Sequence, residues 1–288
     1  QEVMAATLFG LGPKLERAVL LFGPPATGKS QMLAIMSALV PESAKCACPP
    51  ENWSDKFMPA TMHGKIFNAC GELSNRKLID GQMFKTIVSG EEIPAQHKNR
   101  PIFRFKPICT HWFASNHTPK TDDSSAAFNR RWVILNFPTQ VPEHKRDPGL
   151  GAKIVAEERE AIIAWAAEGL VRLLSEGMQG ARYTLPPSHH ALIKEVAENN
   201  DSVVFFLNRS PRVRRGKSIG DRISETQLYR EYWTFCSALG AARPVSSRIF
   251  RQRLRDLGPT EGFRLVVMVN ENGVNDLVVE GLALTHAN

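Results

Sequence analysis

The 288-residue sequence predicts an α/β fold: a parallel sheet flanked by helices, then a helical segment, then a small C-terminal domain. Three observations carry that expectation. Ala18-Val19-Leu20-Leu21-Phe22 is a short apolar run ending on a glycine loop, the pattern of a buried parallel strand. Met32, Leu33, Ile35, Met36 and Leu39 then recur at helical spacing until Pro41 stops the helix. From Ser224 onward, two helical patterns precede Phe263–Val269, a turn at Gly273 and Leu277–Val279. Helix, helix, hairpin is the outline of a winged helix.

The remaining elements follow in order. Residues 1–17 form a helical lead-in, and Pro49-Pro50 with Trp53 sit in an irregular connection. Lys65–Cys70 is a second strand ending at Gly71-Glu72, and Leu78–Val88 is helical. Gly90–Pro107 is charged and punctuated by proline, consistent with a hairpin whose return arm carries Ile102, Phe103 and Phe105. Cys109–Ser115 makes a third strand ending at Asn116, and Trp132–Phe137 a fourth, opened by Arg130-Arg131. Ala152–Leu174 is an amphipathic helix or helix pair. Pro186-Pro187 breaks it, Leu192–Val196 resumes it, and the polar, basic stretch Arg209–Gly220 is a loop or linker. The expected partition is 1–17 lead-in, 18–140 core, 141–200 helical subdomain and 201–288 winged helix.

Composition excludes some classes and leaves others open. Hydrophobic residues make up 43% of the chain, and no uninterrupted apolar run approaches a membrane span. Nothing at the start has the pattern of a signal peptide, and Gln1 in place of Met points to a fragment or processed chain. The five cysteines are expected as free thiols in a reducing cytoplasm, because Cys46 and Cys48 lack a second ligand pair at zinc spacing. The formal charge of +7 fits a nucleic-acid partner without proving one, and it is concentrated from Arg209 to Arg255.

Gly23-Pro24-Pro25-Ala26-Thr27-Gly28-Lys29-Ser30 matches the P-loop pattern and stands in the right context, strand before and helix after. Backbone N–H groups at such a helix start favour phosphate charge; Lys29 should reach the β- and γ-phosphates of ATP, and the Ser30 hydroxyl should hold Mg²⁺. Hydrolysis also needs a group that orients water at a neighbouring strand end. Glu72 stands there, although Gly71 occupies the slot where a first acidic residue is usual, and a solvated surface Glu would look the same. Asn116 suits a γ-phosphate sensor, but Ser-Asn-His is also ordinary turn chemistry. Arg130 and Arg131 suit transition-state stabilisation in a neighbouring subunit, or a salt-bridged rim.

Taken together, the order and spacing of these stretches resemble a superfamily-3 helicase, an AAA+-like P-loop NTPase, of the type found in phage and plasmid primase–helicases and their poxvirus relatives. The resemblance rests on the P-loop, on Gly64-Lys-Ile-Phe-Asn-Ala-Cys-Gly-Glu-Leu73 and on Phe84-Lys-Thr-Ile-Val-Ser-Gly-Glu91. It rests further on Phe113-Ala-Ser-Asn-His-Thr-Pro119 and Phe128-Asn-Arg-Arg-Trp-Val-Ile-Leu-Asn-Phe137. It implies Glu72 as catalytic, Asn116 as sensor and Arg131 as the arginine reaching across a subunit interface, with Arg130 the alternative. It also implies 3′→5′ travel on single-stranded DNA, a ring, expected to be a hexamer, and a primase domain upstream. The family's hairpin between the second and third motifs grips DNA; here it is Ile93–Phe105, with His97, Lys98 and Arg100 at its tip.

The tail resembles the winged-helix module that often ends such proteins, through Leu228-Tyr-Arg-Glu-Tyr-Trp-Thr-Phe-Cys236 and Val245-Ser-Ser-Arg-Ile-Phe-Arg-Gln-Arg-Leu254. On the second helix Ile249, Phe250 and Leu254 should face the core, while Arg248, Arg251 and Arg255 share a face that can meet phosphates. Arg212, Arg214, Arg215 and Lys217 add non-specific contacts, unless this is a solvated basic face or a protein-docking module. Two rival readings stand beside a helicase: a P-loop ATPase that loads or remodels a complex on DNA without unwinding it, and a nucleotide-gated DNA-binding assembly module.

Overall fold

A computed structural model describes residues 1–216, 220–239, 244–269 and 275–285 of the chain. The predicted turn at Gly273 and the Lys217 side chain lie outside the described residues. The chain divides into two compact units, Gln1–Val196 and Ala197–Asn288. No described helix is long and apolar enough to cross a membrane.

The first unit opens with helices α1 (Glu2–Leu8) and α2 (Gly12–Leu15), then strand β1 (Ala18–Phe22) and helix α3 (Lys29–Leu39). Strands β2 (Lys45–Cys46) and β3 (Phe67–Cys70) precede helix α4 (Gly81–Val88), and β4 (Ile93–Gln96) with β5 (Ile102–Phe105) form an antiparallel hairpin. Strand β6 (Thr110–Ser115), helix α5 (Ala126–Asn129) and strand β7 (Trp132–Asn136) follow. The unit closes with α6 (Leu150–Leu173), α7 (Gly177–Gly180) and α8 (Pro187–Asn200), the last of which runs past Val196. The five-stranded sheet has the order β2-β3-β6-β1-β7, and its pairings are parallel. Strands so placed are covered on both faces, which is why β6 is buried at every residue and β1 at all but its last.

Two apolar layers sandwich the sheet. On one face Phe84 lies between Trp53 and Trp132, with ring centroids 5.5 and 4.7 Å away. On the other, Trp112 donates its indole N–H to Thr7 Oγ1 at 2.9 Å, so α1 is fixed to the sheet by a buried hydrogen bond as well as by Val3 and Met4. The predicted helix over Leu78–Val88 starts later, at Gly81. Asp80 caps it, accepting from Met83 N at 2.9 Å, and Ile79 is drawn into a bridge with Thr121 instead. The long segment after residue 150 is one 24-residue helix rather than a pair. The short helix predicted from Leu192 begins at Pro187, where a missing N–H costs nothing in a first turn.

The second unit contains α9 (Ser202–Arg209), β8 (Val213–Arg215), β9 (Arg222–Ser224), α10 (Glu225–Leu239) and α11 (Ser247–Glu261). Strands β10 (Arg264–Val269), β11 (Asn275–Glu280) and β12 (Leu282–Leu284) complete it. β10, β11 and β9 make an antiparallel sheet, and β12 pairs with β8. The stretch Arg209–Gly220, expected as loop, therefore contains a strand; the partner that stabilises it lies about 70 residues later, beyond the reach of local pattern. Phe206, Tyr232, Phe250 and Leu254 centre the core.

Candidate active site

The parallel register decides where chemistry can gather. Cys70 pairs with Phe113, and Phe22 with Ser115, so the residues following β3, β1 and β6 emerge at one edge of the sheet. Ligands in open parallel sheets bind at this carboxyl edge. Here Pro25–Ser30, Glu72 and Asn116 line one cleft of ≈ 620 Å³.

The loop's shape is dictated by two glycines. Gly23 has φ +151°, and a Cβ there would lie 2.1 Å from the Phe137 carbonyl oxygen. Gly28 has φ +94° and caps the start of α3, leaving the first amides of that helix directed towards the cleft. Ala26 also has positive φ, +60°, a conformation costing about 1–2 kcal/mol for a residue with a Cβ. It is held by Val141 N, which donates to Ala26 O at 2.8 Å.

Lys29 is buried, with its ammonium in the loop's mouth. It donates to Gly23 O at 2.7 Å, Pro24 O at 2.6 Å and Asn116 Oδ1 at 2.8 Å, which uses its three protons. Burial lowers its pKa, and the charge of Glu72 partly offsets that. Ser30 is exposed one residue into α3, facing the same cleft. The structure thus brings Gly23–Ser30, Glu72 and Asn116 together, with Glu72 and Asn116 both exposed. Ser30 is the one side-chain cation ligand expected from sequence, with Glu72 expected to act on water; Asp147 also lines the cleft, with its carboxylate engaged by Lys153 Nζ at 2.6 Å and Gly149 N at 2.8 Å.

The arginine pair lies at the opposite edge. Trp132 pairs with Ala18 and Asn136 with Phe22, so Arg130 and Arg131 are a strand's length, about 15 Å, from the loop. Arg131, the one expected to reach outward, is enclosed by its own chain. Arg131 is buried, donating to Ala127 O at 2.8 Å and Ser89 Oγ at 2.9 Å, with Glu16 at 3.7 Å. Burial, ahead of all else, lowers its pKa. Arg130, at the end of α5, is exposed. In the sequence the two are adjacent and equivalent; only the direction of the turn distinguishes them.

At the hairpin tip His97, Lys98 and Arg100 are exposed, and none has an ion pair among the described residues. Asn99 takes φ +61° and Arg100 N donates to His97 O at 3.0 Å, closing the turn. His97 stacks on Phe103, ring centroids 5.3 Å apart.

The second unit's basic surface is less available than its composition suggested. Arg251 is bound to the buried Glu225 at 2.9 Å, so it does not share a free cationic face with Arg248 and Arg255. Arg253 pairs with Asp201, Arg212 with Glu231, Arg214 with Asp221 and Arg215 with Glu261. Arg248 and Arg255 are exposed and have no ion pair among the described residues. Ile249, expected in the core, is 50% exposed; Phe250 and Leu254 are fully buried. With Phe250 and Leu254 inward, helical rotation carries Ile249 round beside Arg248.

Sequence reasoning missed the cleft's other wall, Val141–Ile154, including Lys145, Arg146, Leu150 and Ile154. No motif marks it. The one signal was a hydrophobic pair one turn apart, Leu150 and Ile154, at the start of the helical segment.

The fold and cleft define the class first: an α/β protein whose glycine loop, acidic residue and amide meet at the carboxyl edge of a parallel sheet. Residues 21–131 match a family of unknown function, DUF5906, a span running from the end of β1 to Arg131. Two solved structures of the NrS-1 C terminal region, the apo structure of residues 305–718 and its A form, superpose with TM-score 0.51. They are 15% and 13% identical, each covering 96% of this chain, and 71% and 70% of theirs respectively. At such identities the likeness shows a shared fold.

Proposed function

We propose that the chain is the ATP-hydrolysing and DNA-engaging part of a ring-forming DNA helicase, acting in replication of a phage, plasmid or other mobile element. The observation that carries the reading is the Lys29–Asn116 hydrogen bond beside Glu72, at the mouth of a glycine loop that opens a helix. In this reading Gly23–Ser30 is a P-loop. Its amides and Lys29 bind the phosphates of ATP, Lys29 exchanging loop carbonyls for phosphate oxygens. Ser30 holds Mg²⁺, with water completing the shell because Gly71 supplies no carboxylate. Glu72 orients the attacking water, and Asn116 senses the γ-phosphate.

The distance from the arginine pair to its own loop favours a role in a neighbour's site, and exposure favours Arg130 for it. An arginine finger of this kind raises hydrolysis about 10³–10⁵-fold in other P-loop enzymes. The hairpin tip grips single-stranded DNA through its cations and the His97–Phe103 stack. The second unit, read as a winged helix, adds contacts through Arg248 and Arg255.

ATPase assays with and without single-stranded DNA test the reading, in the wild type and in Glu72→Gln. DNA-stimulated hydrolysis lost in the variant is expected; equal inertness of both under assembling conditions would sink the proposal. The internal ion pairing of the second unit favours one alternative, an ATPase that remodels a complex on DNA without processive unwinding. Lys98→Ala with Arg100→Ala separates the two. Loss of unwinding with hydrolysis intact supports the helicase.

A further inference from the structure

The wall Val141–Ile154 has no role in the reading above, yet it is fastened to the loop and to α3. Val141 N donates to Ala26 O at 2.8 Å, and just before the wall Gln140 Nε2 donates to Pro25 O at 3.1 Å. Further on, α6 converges on α3. Gly151 N donates to Gln31 Oε1 at 2.8 Å, and a Cβ at residue 151 would meet that oxygen at 2.8 Å and Ile35 Cγ1 at 3.5 Å. Glycine at this position therefore permits the approach.

Where the two helices meet, the side chains facing the cleft are apolar. Ile35 comes from α3; Leu150 and Ile154, one turn apart, come from α6. Ile35 is about 7.5 Å along α3 from Ser30, away from the Lys29 end. Of the polar side chains lining this part of the cleft, Lys145 and Arg146 are exposed, Arg146 donating through Nε to Val141 O at 2.9 Å, and the others are committed. Gln31 uses its carbonyl on Gly151 N and its amide on Pro148 O at 3.1 Å, while Asp147 is bound by Gly149 N and Lys153.

We propose that Ile35, Leu150 and Ile154 form the nucleobase slot of this cleft, and that the slot accepts all four common nucleoside triphosphates with little discrimination. The inference rests on the nucleotide reading given above and adds the specificity of the same site. A site that hydrogen-bonds a substrate's polar edge can reject an analogue by about 10⁴–10⁵-fold, whereas an apolar pocket discriminates by only about 10–200-fold even where sizes differ. With Gln31 and Asp147 engaged elsewhere, and Lys145 and Arg146 exposed to water and not fixed in the slot, the apolar slot holds the flat faces of the bases and leaves their edges to solvent.

The test compares ATP, GTP, CTP and UTP on the full chain, by kcat/KM with single-stranded DNA present and by equilibrium binding. It is repeated with Leu150→Ala and with inorganic tripolyphosphate as a probe that has no base. The four triphosphates are expected within about tenfold of one another. Leu150→Ala is expected to weaken all four by a similar factor and to leave tripolyphosphate binding unchanged; that residue is half-exposed, so the fold tolerates the change. A preference for ATP over GTP of about 100-fold or more would overturn the inference while leaving the ATPase reading intact. So would Leu150→Ala weakening tripolyphosphate as much as the nucleotides. Failure of every triphosphate and of tripolyphosphate to bind would overturn both.

Discussion

The two units handle positive charge in opposite ways. In the first, several exposed cations stand free of ion pairs among the described residues: Lys98 and Arg100 at the hairpin tip, Arg130 at the far edge. In the second, which is the more arginine-rich by sequence, arginines are largely spent on acidic neighbours, several of them buried: Glu225, Asp201 and Glu198. Formal charge is therefore a poor measure of charge available to a partner. A guanidinium anchored to a buried carboxylate holds the fold together, and using it on a phosphate would strand that carboxylate in an apolar setting. Arg230, Arg248 and Arg255 are exceptions among the described residues, and the last two share one face of α11, seven residues apart.

The largest effect expected is on the first unit. Lys29→Ala removes the one ammonium in the loop's mouth, and ATP hydrolysis should fall at least 10²-fold, as measured by phosphate release. The arginine pair then divides by role. Arg130→Ala should lower hydrolysis in the assembled protein about 10³-fold with little change in melting temperature. Arg131→Ala should instead destabilise the fold by about 2 kcal/mol, because it leaves the Ala127 carbonyl and the Ser89 hydroxyl unpartnered in a buried position. Equal kinetic losses in both variants would break the distinction.

The contrast within the second unit is smaller and equally direct. Arg253→Ala should cost about 2–3 kcal/mol in denaturant unfolding, since Asp201 is buried and also caps α9 through Val203 N and Val204 N. Arg248→Ala with Arg255→Ala should be near neutral for stability, within about 0.5 kcal/mol, yet weaken DNA binding and reduce its salt slope by about 2. A basic surface that works as a whole would show the reverse: Arg212 and Arg214 variants losing as much affinity as these two.

A pH dependence is expected in the first unit, small near neutrality and growing on acidification. Burial lowers the pKa of His111 to about 3 and of His189 to about 4, both below the usual value near 6.5. His189 Nδ1 accepts from Ile134 N at 3.1 Å, and His111 Nδ1 from Asn68 Nδ2 at 3.1 Å, bonds that need neutral rings. The unfolded chain binds these protons first on acidification. Stability should thus hold above about pH 6.5 and decline below it, by up to ~1.4 kcal/mol per pH unit for each histidine until its folded pKa is reached. His189→Gln should flatten part of that decline.

How much of this was legible from residues alone depends on how far apart the interacting partners are. That the loop, Glu72 and Asn116 gather at one sheet edge was readable because strand, turn and helix are local patterns, and each of these groups sits one or two residues beyond an apolar run. The hairpin was readable from its prolines and alternating return arm. Three things were not. Arg130 and Arg131 are neighbours in sequence, and their opposite exposures come from Ser89, Glu16 and Ala127, brought up by folding. Strand β8 exists because β12 pairs with it. The α11 arginines were assigned by spacing on one helix, whereas Arg251 is claimed by Glu225 on another. The apolar wall Leu150–Ile154 belongs to the same class: it becomes a wall of the cleft only because Gly151 lets α6 touch α3.

The central claim is that each cleft is completed by an arginine from the next copy of the chain. Mixing two inactive variants tests it most directly. Lys29→Ala lacks the loop lysine but keeps Arg130; Arg130→Ala lacks the arginine but keeps the lysine. In a head-to-tail assembly of the two in equal amounts, about one interface in four pairs an intact Lys29 with an intact Arg130. Hydrolysis should therefore reappear at roughly a quarter of the wild-type rate. A mixture that co-assembles and stays as inactive as its components would contradict the account.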